Sequence, residues 1–314
     1  MHQGEIGLSE FREAAAAMSS VVLRTPLIPL TNGPSDRTIW LKPENLQPRG
    51  SFKVRCSFNA VRSIPDARLA AGVATASAGN FAQGLTMFAR ARGRSILVYV
   101  PDNAAKTKLE ALRNLGAELQ LVTPDAWWNI VNDAPPPSDR VFVHPSAQRS
   151  VFIGNGTIGL EILDDLPGVD AILLPFGGGG LSCGVAMAAK AIKPDIRIIA
   201  CECETAAPLA ASFKAGHPAV VERGKSFVDG IGATSVLSRS WPLLHTLIDD
   251  VVVVPEAAAA RAVSALASHH RMIVEGAAGV ALAAALTDRF AGQTVVPVLS
   301  GGNIDFDVLG RILS

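Results

Sequence analysis

Apolar residues follow two alternating rhythms along this chain. In "PDNAAKTKLEALRNLG", Leu109, Leu112 and Leu115 fall on one stripe, which predicts a helix capped by Asp102 or Asn103 and stopped by Gly116. Upstream, "NFAQGLTMFARARG" sets Phe81, Leu85 and Phe88 on one stripe and predicts a second helix. Each leads into a short β-rich run, "AELQLVT" after the first and "SILVYVP" after the second. Further on, "AILLPF", "IRIIACE", "VVVVP" and "TVVPVLS" are nearly unbroken apolar runs, separated by alanine-rich helical stretches such as "LSCGVAMAAKAI" and "AAAARAVSALASHH". Strands without polar alternation are covered on both faces, so the pattern predicts a doubly wound α/β protein with mostly parallel sheet flanked by helices. "NDAPPPSDR", residues 132–140, is the clearest break in the pattern, and the edge of a smaller domain is expected just after it.

Composition narrows the function. The chain has 314 residues, enough for one large α/β domain or two modest ones. Lys plus Arg and Asp plus Glu both number 28, so no basic face for nucleic acid is implied and a small neutral or zwitterionic ligand fits better. No apolar run approaches the roughly 20 residues that cross a bilayer. The N-terminal stretch carries Glu5, Glu10 and Glu13, where a signal peptide would need a basic start and an apolar centre. A cytoplasmic enzyme is expected, with neither membrane nor nucleic acid as partner. Cys56, Cys183, Cys201 and Cys203 lack CxxC spacing and read as buried thiols, the last two on one face of a strand.

Ligands of open α/β sheets sit beyond the carboxyl ends of strands, which directs attention to three junctions. After "AILLPF" comes "GGGGLSCG", residues 177–184. Glycine amides joined to a helix N-terminus suit a phosphate, although the stretch could be only a tight turn; it is neither a Walker loop nor a GxGxxG fingerprint. In "ATASAGNFAQG", Ser77, Gly79 and Asn80 offer a hydroxyl, amides and a carboxamide at a helix start, suited to a carboxylate or to simple capping. In "LSGGN", Ser300 ends a strand. "RGSFKVR" adds Lys53, which alone would read as a solvated lysine.

The order of "SFKVR", "SAGN", "FGGGGL" and "SGGN" resembles the fold-type II pyridoxal-phosphate enzymes, most closely the threonine/serine dehydratase and serine racemase group. "RTPL" at 24–27, "KPENLQPRGSFKVR", "NLGAEL", "GNGTIGLEIL", "VDGI" at 228–231 and "VEGAAG" at 274–279 extend the resemblance along nearly the whole chain. It implies a tryptophan synthase β-like fold of two domains, residues 1–71 with 146–314 forming the large cofactor-binding domain and residues 72–145 a small mobile one. It implies pyridoxal 5'-phosphate held by Lys53 as a Schiff base, with burial and cationic neighbours easing the loss of the lysine's proton. Gly177, Gly178, Gly179, Gly180 and Leu181 would give amides to the phosphate, Asn80 would bond the ring's phenolic oxygen, and Phe52, Glu275 and Gly301 would also touch the cofactor. Ser300 would face the ring nitrogen. A neutral hydroxyl does not keep that nitrogen protonated, which favours elimination over transamination. Ser77, Ala78, Gly79, Asn80 and Phe81 would hold the substrate.

The implied activity is removal of water and ammonia from a β-hydroxy L-amino acid to give a 2-oxo acid, in a homodimer. Racemases of the group resemble one another in a serine at the position of Ala78, so the alanine favours elimination; a racemase, a β-replacement enzyme or a silent pyridoxal-phosphate binder are the alternatives. Phe81 stands where a histidine is usual, and Cys56 where a glycine is usual. Trp127 and Trp128 read as packing residues or as part of a bulky substrate's cleft. Glu202 matches one acidic ligand of a cation site in some relatives, but no second carboxylate follows, with Pro208 near the expected position, so no tight metal site is expected. The chain ends soon after "SGGN", from which a catabolic or specialised role without a regulatory C-terminal domain is expected.

Overall fold

The structure, a computed structural model, describes residues 6–314. Glu5, one of the acids weighed against a signal peptide, lies outside them. Ten strands, β1 (Ile28–Pro29), β2 (Thr38–Leu41), β3 (Val73–Ala76), β4 (Ile96–Pro101), β5 (Glu118–Val122), β6 (Val141–Phe142), β7 (Ala171–Pro175), β8 (Arg197–Cys203), β9 (Asp250–Val254) and β10 (Thr294–Pro297), form two sheets. The larger runs β1-β2-β10-β7-β8-β9 and is parallel except where β1 meets β2. The smaller runs β5-β4-β3-β6 and is parallel throughout. β7 is buried at every position, as an apolar strand between two helical layers must be. β6, just past the "NDAPPPSDR" break, closes the smaller sheet against β3. Among the described residues no helix is long and apolar enough to cross a membrane.

The two helices predicted from leucine and phenylalanine stripes form at Asn80–Ala91 and Lys106–Asn114. Phe81, Leu85, Phe88, Leu109 and Leu112 are buried, while Leu115 is half-buried at the frayed end. The expected cap fails. Neither Asp102 nor Asn103 caps the second helix, which starts after Ala105, because the Asp102 amide is taken by Val122 O at 2.8 Å and the Ala104 amide by Pro101 O at 3.0 Å. Those bonds prolong the strand edge and delay the helix. Gly116 does stop it, with a left-handed φ of +87°.

Four side chains, Lys42, Glu44, Arg55 and Glu161, form one charged cluster inside the core. Arg55 donates to both oxygens of Glu44 (2.7 and 2.8 Å) and to both of Glu161 (2.6 and 2.9 Å), while Lys42 donates to Glu161 at 2.5 Å and to Thr25 O at 2.7 Å. Arg55, Glu44 and Lys42 are all 0% exposed. The helix Lys53–Arg62 is thereby tied to the segment before it and to the helix Arg149–Asp165. Cys56 is accommodated on the same helix because the chain opposite it has a glycine: a Cβ on Gly154 would lie 2.6 Å from Cys56 Cα. Cys201 and Cys203 are both buried on the face of β8 that packs against the Gly276–Ala285 helix side of the core, and all four thiols are unpaired.

Candidate active site

Both sheets change direction at one cleft. In the smaller sheet the order reverses between β3 and β6, and in the larger between β7 and β10, the places where open α/β sheets leave a crevice past the strand ends. The segments following all four strands line a single cavity of about 840 Å³. It gathers Phe52, Lys53, residues 77–81, residues 177–181, Glu275 and Ser300, which lie far apart in sequence. Gly301 does not line it but stands behind Glu275, against whose carboxyl a Cβ would come within 2.9 Å.

Lys53 opens the helix Lys53–Arg62, so its amine lies at the end where the helix dipole disfavours a cation. Nζ donates to Pro145 O at 3.4 Å and stands 4.9 Å from the Phe52 ring and 5.6 Å from the Phe81 ring. Burial lowers its pKa, while Cys56 and Glu275 pull the other way. The cationic neighbours anticipated from sequence are not among the groups acting on it; burial does that work. Phe81 makes the wall beside the amine an apolar ring without a titratable nitrogen.

The glycine loop leaves β7 and enters the helix Gly180–Ile192. Gly179 takes φ +82°, and a Cβ on Gly178 would lie 2.2 Å from Ser146 Oγ, so both positions need glycine. No acceptor among the described residues takes the amides of Gly177, Gly178 or Gly179. Ser182 Oγ, one turn further and on the cavity lining, is buried without a partner. Free amides, an orphaned hydroxyl and a helix N-terminus together fit a phosphate, so the loop suits the phosphate end of pyridoxal phosphate.

At the other end, Ser300 is 2% exposed and its Oγ donates to Glu275 Oε1 at 3.0 Å. Asn80 Nδ2 donates to Glu275 Oε2 at 3.0 Å, and its Oδ1 accepts from Asn303 Nδ2 at 2.8 Å. Gly79 caps the Asn80–Ala91 helix and its amide donates to Ser77 Oγ at 3.4 Å; between them the methyl side chain of Ala78 has no group that could carry a proton. Trp127 and Trp128, on the helix Pro124–Asn132, both line the cavity and pack on a small core with Ala76, Tyr99 and Leu237. They are packing residues and cavity wall at once.

Sequence reasoning gave no role to Pro145, Ser146, Ser182 or Asn303, although Pro145 stands in "HP" at 144–145 and Asn303 in "SGGN", both part of the resemblance. Ser182 carried a signal, since it follows the glycine run in the first turn of a helix. Glu202 is used otherwise than in a cation site: Leu209 N and Ala210 N donate to its two oxygens at 2.9 and 2.8 Å, so it caps the helix Pro208–Ala215. Among the described residues no group of three or more His, Cys, Asp and Glu is arranged to hold a metal ion.

His144 braces the loop that presents Pro145 O. Its Nδ1 accepts from the amides of Ser146 (3.0 Å) and Ala147 (2.7 Å), which leaves Nε2–H to donate to Val131 O at 2.8 Å. Burial, chiefly, pushes the imidazole down to about 4 from 6.5. The folded state keeps it neutral while the unfolded chain binds a proton below 6.5, so the contribution is complete above that pH and is lost as pH falls toward 4. About 3 kcal/mol should disappear across that window. Urea unfolding at several pH values checks this, as wild type should lose that much more than His144→Gln between pH 7 and 4.

The comparisons agree with the cavity. The family model described as pyridoxal-phosphate dependent enzyme matches residues 18–301. An L-threonine ammonia-lyase of Thermotoga maritima is 35% identical over 319 residues, covering 98% of this chain and 78% of its own. A catabolic L-threonine dehydratase of Escherichia coli strain K12 is 34% identical over 316 residues, covering 98% and 96%. The solved structure of maize serine racemase matches with a TM-score of 0.89 at 31% identity, covering 98% of this chain and 97% of that one. A match running from residue 18 to 301, with a cavity at its centre that suits the cofactor, means that the chain belongs to the family of pyridoxal-phosphate dependent enzymes.

Proposed function

We propose that the protein is an ammonia-lyase that converts a β-hydroxy L-amino acid, of the threonine or serine kind, into a 2-oxo acid and ammonia. The observation that carries the reading is that Lys53 Nζ, between the Phe52 and Phe81 rings, shares one cavity with the glycine loop, while Ala78, at the position where the racemases resemble one another in a serine, brings to that cavity no side chain able to carry a proton. The names of the relatives from Thermotoga maritima and Escherichia coli support it.

In this reading Lys53 holds the cofactor, the amides of residues 177–181 with Ser182 Oγ hold its phosphate, Asn80 meets the phenolic oxygen and Ser300 the ring nitrogen. The bound cofactor supplies the electron sink for the pair left at the substrate's α-carbon. Ser77 and the amides at the start of the Asn80–Ala91 helix hold the substrate carboxylate. Once the substrate's amine has displaced it from the cofactor, Lys53 Nζ is a free amine whose pKa burial lowers, and it takes the α-proton. The proton that Lys53 took passes to the β-hydroxyl, which leaves as water. The enamine product is released when Lys53 Nζ takes its place on the cofactor again, tautomerises to an imine, and is hydrolysed by solvent water to the 2-oxo acid and ammonia. Phe81, Trp127 and Trp128 bound the side chain and keep water from the reacting atoms. The reading extends to a cytoplasmic homodimer and to a unit of residues 72–145 that moves against residues 1–71 and 146–314; solution scattering with and without substrate tests both.

The second reading is racemisation, favoured by the match to maize serine racemase. One assay separates them. The loaded protein, given L-threonine, L-serine, 3-hydroxyaspartate and phenylserine isomers, should release 2-oxo acid from at least one, with no D-serine formed from L-serine. D-serine without 2-oxo acid would replace elimination with racemisation.

A further inference from the structure

Glu275 is a buried carboxyl group between two fixed partners. Asn80 donates through Nδ2 to Oε2, and it cannot turn over, because its Oδ1 accepts from Asn303 Nδ2. Asn303 is held in turn by donating to Arg49 O at 2.8 Å. Oε2 is therefore an acceptor whatever the protonation state of Glu275, and only Oε1, facing Ser300 Oγ at 3.0 Å, can change role. Gly230 and Gly301 close in on the carboxyl, where a Cβ would come within 3.5 and 2.9 Å.

We infer that Glu275 is a positioning residue that shares one proton with the cofactor's ring nitrogen through the hydroxyl of Ser300. The inference rests on the placement of Ser300 proposed above. A serine alone cannot keep that nitrogen protonated. A serine backed by a carboxyl can, because two arrangements with the same number of protons exist. With the proton on the nitrogen, Glu275 is ionised, Oε1 takes the hydroxyl hydrogen, and Ser300 offers the ring its lone pair. With the proton on Oε1, Glu275 donates to Ser300, which turns its own hydrogen to the ring.

Burial raises the pKa of Glu275, against the hydrogen bonds from Asn80 and Ser300, so a proton on this carboxyl is within reach. The charged groups facing it are Lys53 on the helix across the cavity and Asp229 on the neighbouring loop, itself paired with Lys108 from the helix Lys106–Asn114.

The test reads the nitrogen, not the turnover. Wild type and Glu275→Gln are loaded with isotope-labelled pyridoxal phosphate, and the ring nitrogen's NMR shift is followed with pH. In the variant the glutamine oxygen must accept from Asn80, so its NH₂ faces Ser300 and the ring meets only a hydroxyl hydrogen. Wild type should lie displaced toward the pyridinium shift and return as pH rises, while Glu275→Gln stays at the neutral pyridine shift at every pH. Ser300→Ala, which breaks the relay but keeps Glu275, should match Glu275→Gln and serves if the glutamine variant does not fold. Equal shifts in wild type and variants overturn the inference. Release of 2-oxo acid from L-threonine by wild type is measured beside them: its absence with the shift difference intact overturns the ammonia-lyase reading and leaves the shared proton standing.

Discussion

Lys53→Ala should release 2-oxo acid roughly 10⁴-fold more slowly than wild type, the upper end of what one positioned acid–base group contributes. The whole of that effect is expected from this side chain because the groups that touch its amine cannot replace it. Phe52 and Phe81 flank the amine, Pro145 offers a carbonyl, and Cys56, whose thiol burial pushes up to about 11, is bonded to the Lys53 carbonyl at 3.3 Å. The loss should fall on kcat and kcat/KM together, as for a group acting on the reacting atoms. Added primary amines should restore part of the rate, since they supply a base but no tether. An alanine variant within tenfold of wild type, with its fold unchanged by circular dichroism, would remove Lys53 from the reaction.

Much of the frame of this site is legible in sequence, and the reasons differ by element. β7 announces itself because a strand covered on both faces has no polar positions to interrupt it. β8, β9 and β10 do so through apolar runs long enough to stand out, although β9 lies at the sheet edge with Val253 exposed. The glycine loop is legible because a close approach at Gly178 and a left-handed φ at Gly179 admit no other residue. The helix at Lys106 was misjudged at its start because a capping side chain is a local cue, whereas the bond from Asp102 N to Val122 O comes from strand pairing. The Asn80–Glu275–Ser300 contact spans 195 residues on one side and 25 on the other, beyond any periodicity. Nor does pattern distinguish Lys42, Glu44 and Arg55 from surface charges. Arg55 pairs with Glu44, 11 residues before it, but also, like Lys42, with Glu161, 106 residues beyond Arg55, and that second carboxylate is out of reach of any local pattern.

That buried cluster carries the largest stability effect expected of a single substitution. Arg55→Ala should lower the free energy of unfolding by about 3–5 kcal/mol, the usual result of removing one partner from a buried ion pair. The reason is less the lost attraction than what stays behind. Glu44 is 0% exposed, and without Arg55 it keeps only Thr25 Oγ1 at 2.7 Å, the Gln47 amide at 3.2 Å and the more distant Lys42. Burial raises its pKa, and it is Arg55 that more than offsets this and holds the group below its usual value. In wild type that depressed pKa is a contribution present at neutral pH and lost as the solution is acidified through the folded value. In Arg55→Ala the sign reverses: the stranded carboxyl prefers its proton, so the deficit relative to wild type should shrink as pH falls from 7 toward 4. Urea unfolding of both proteins across that range reads the difference directly. A deficit that did not change with pH would mean that Arg55 acts by filling space, and a deficit under about 1 kcal/mol would make the pair no stronger than one at the surface. Because Arg55 lies two residues beyond Lys53 on the same helix, the variant should also bind pyridoxal phosphate less tightly, coupling the charged core to the lysine it positions.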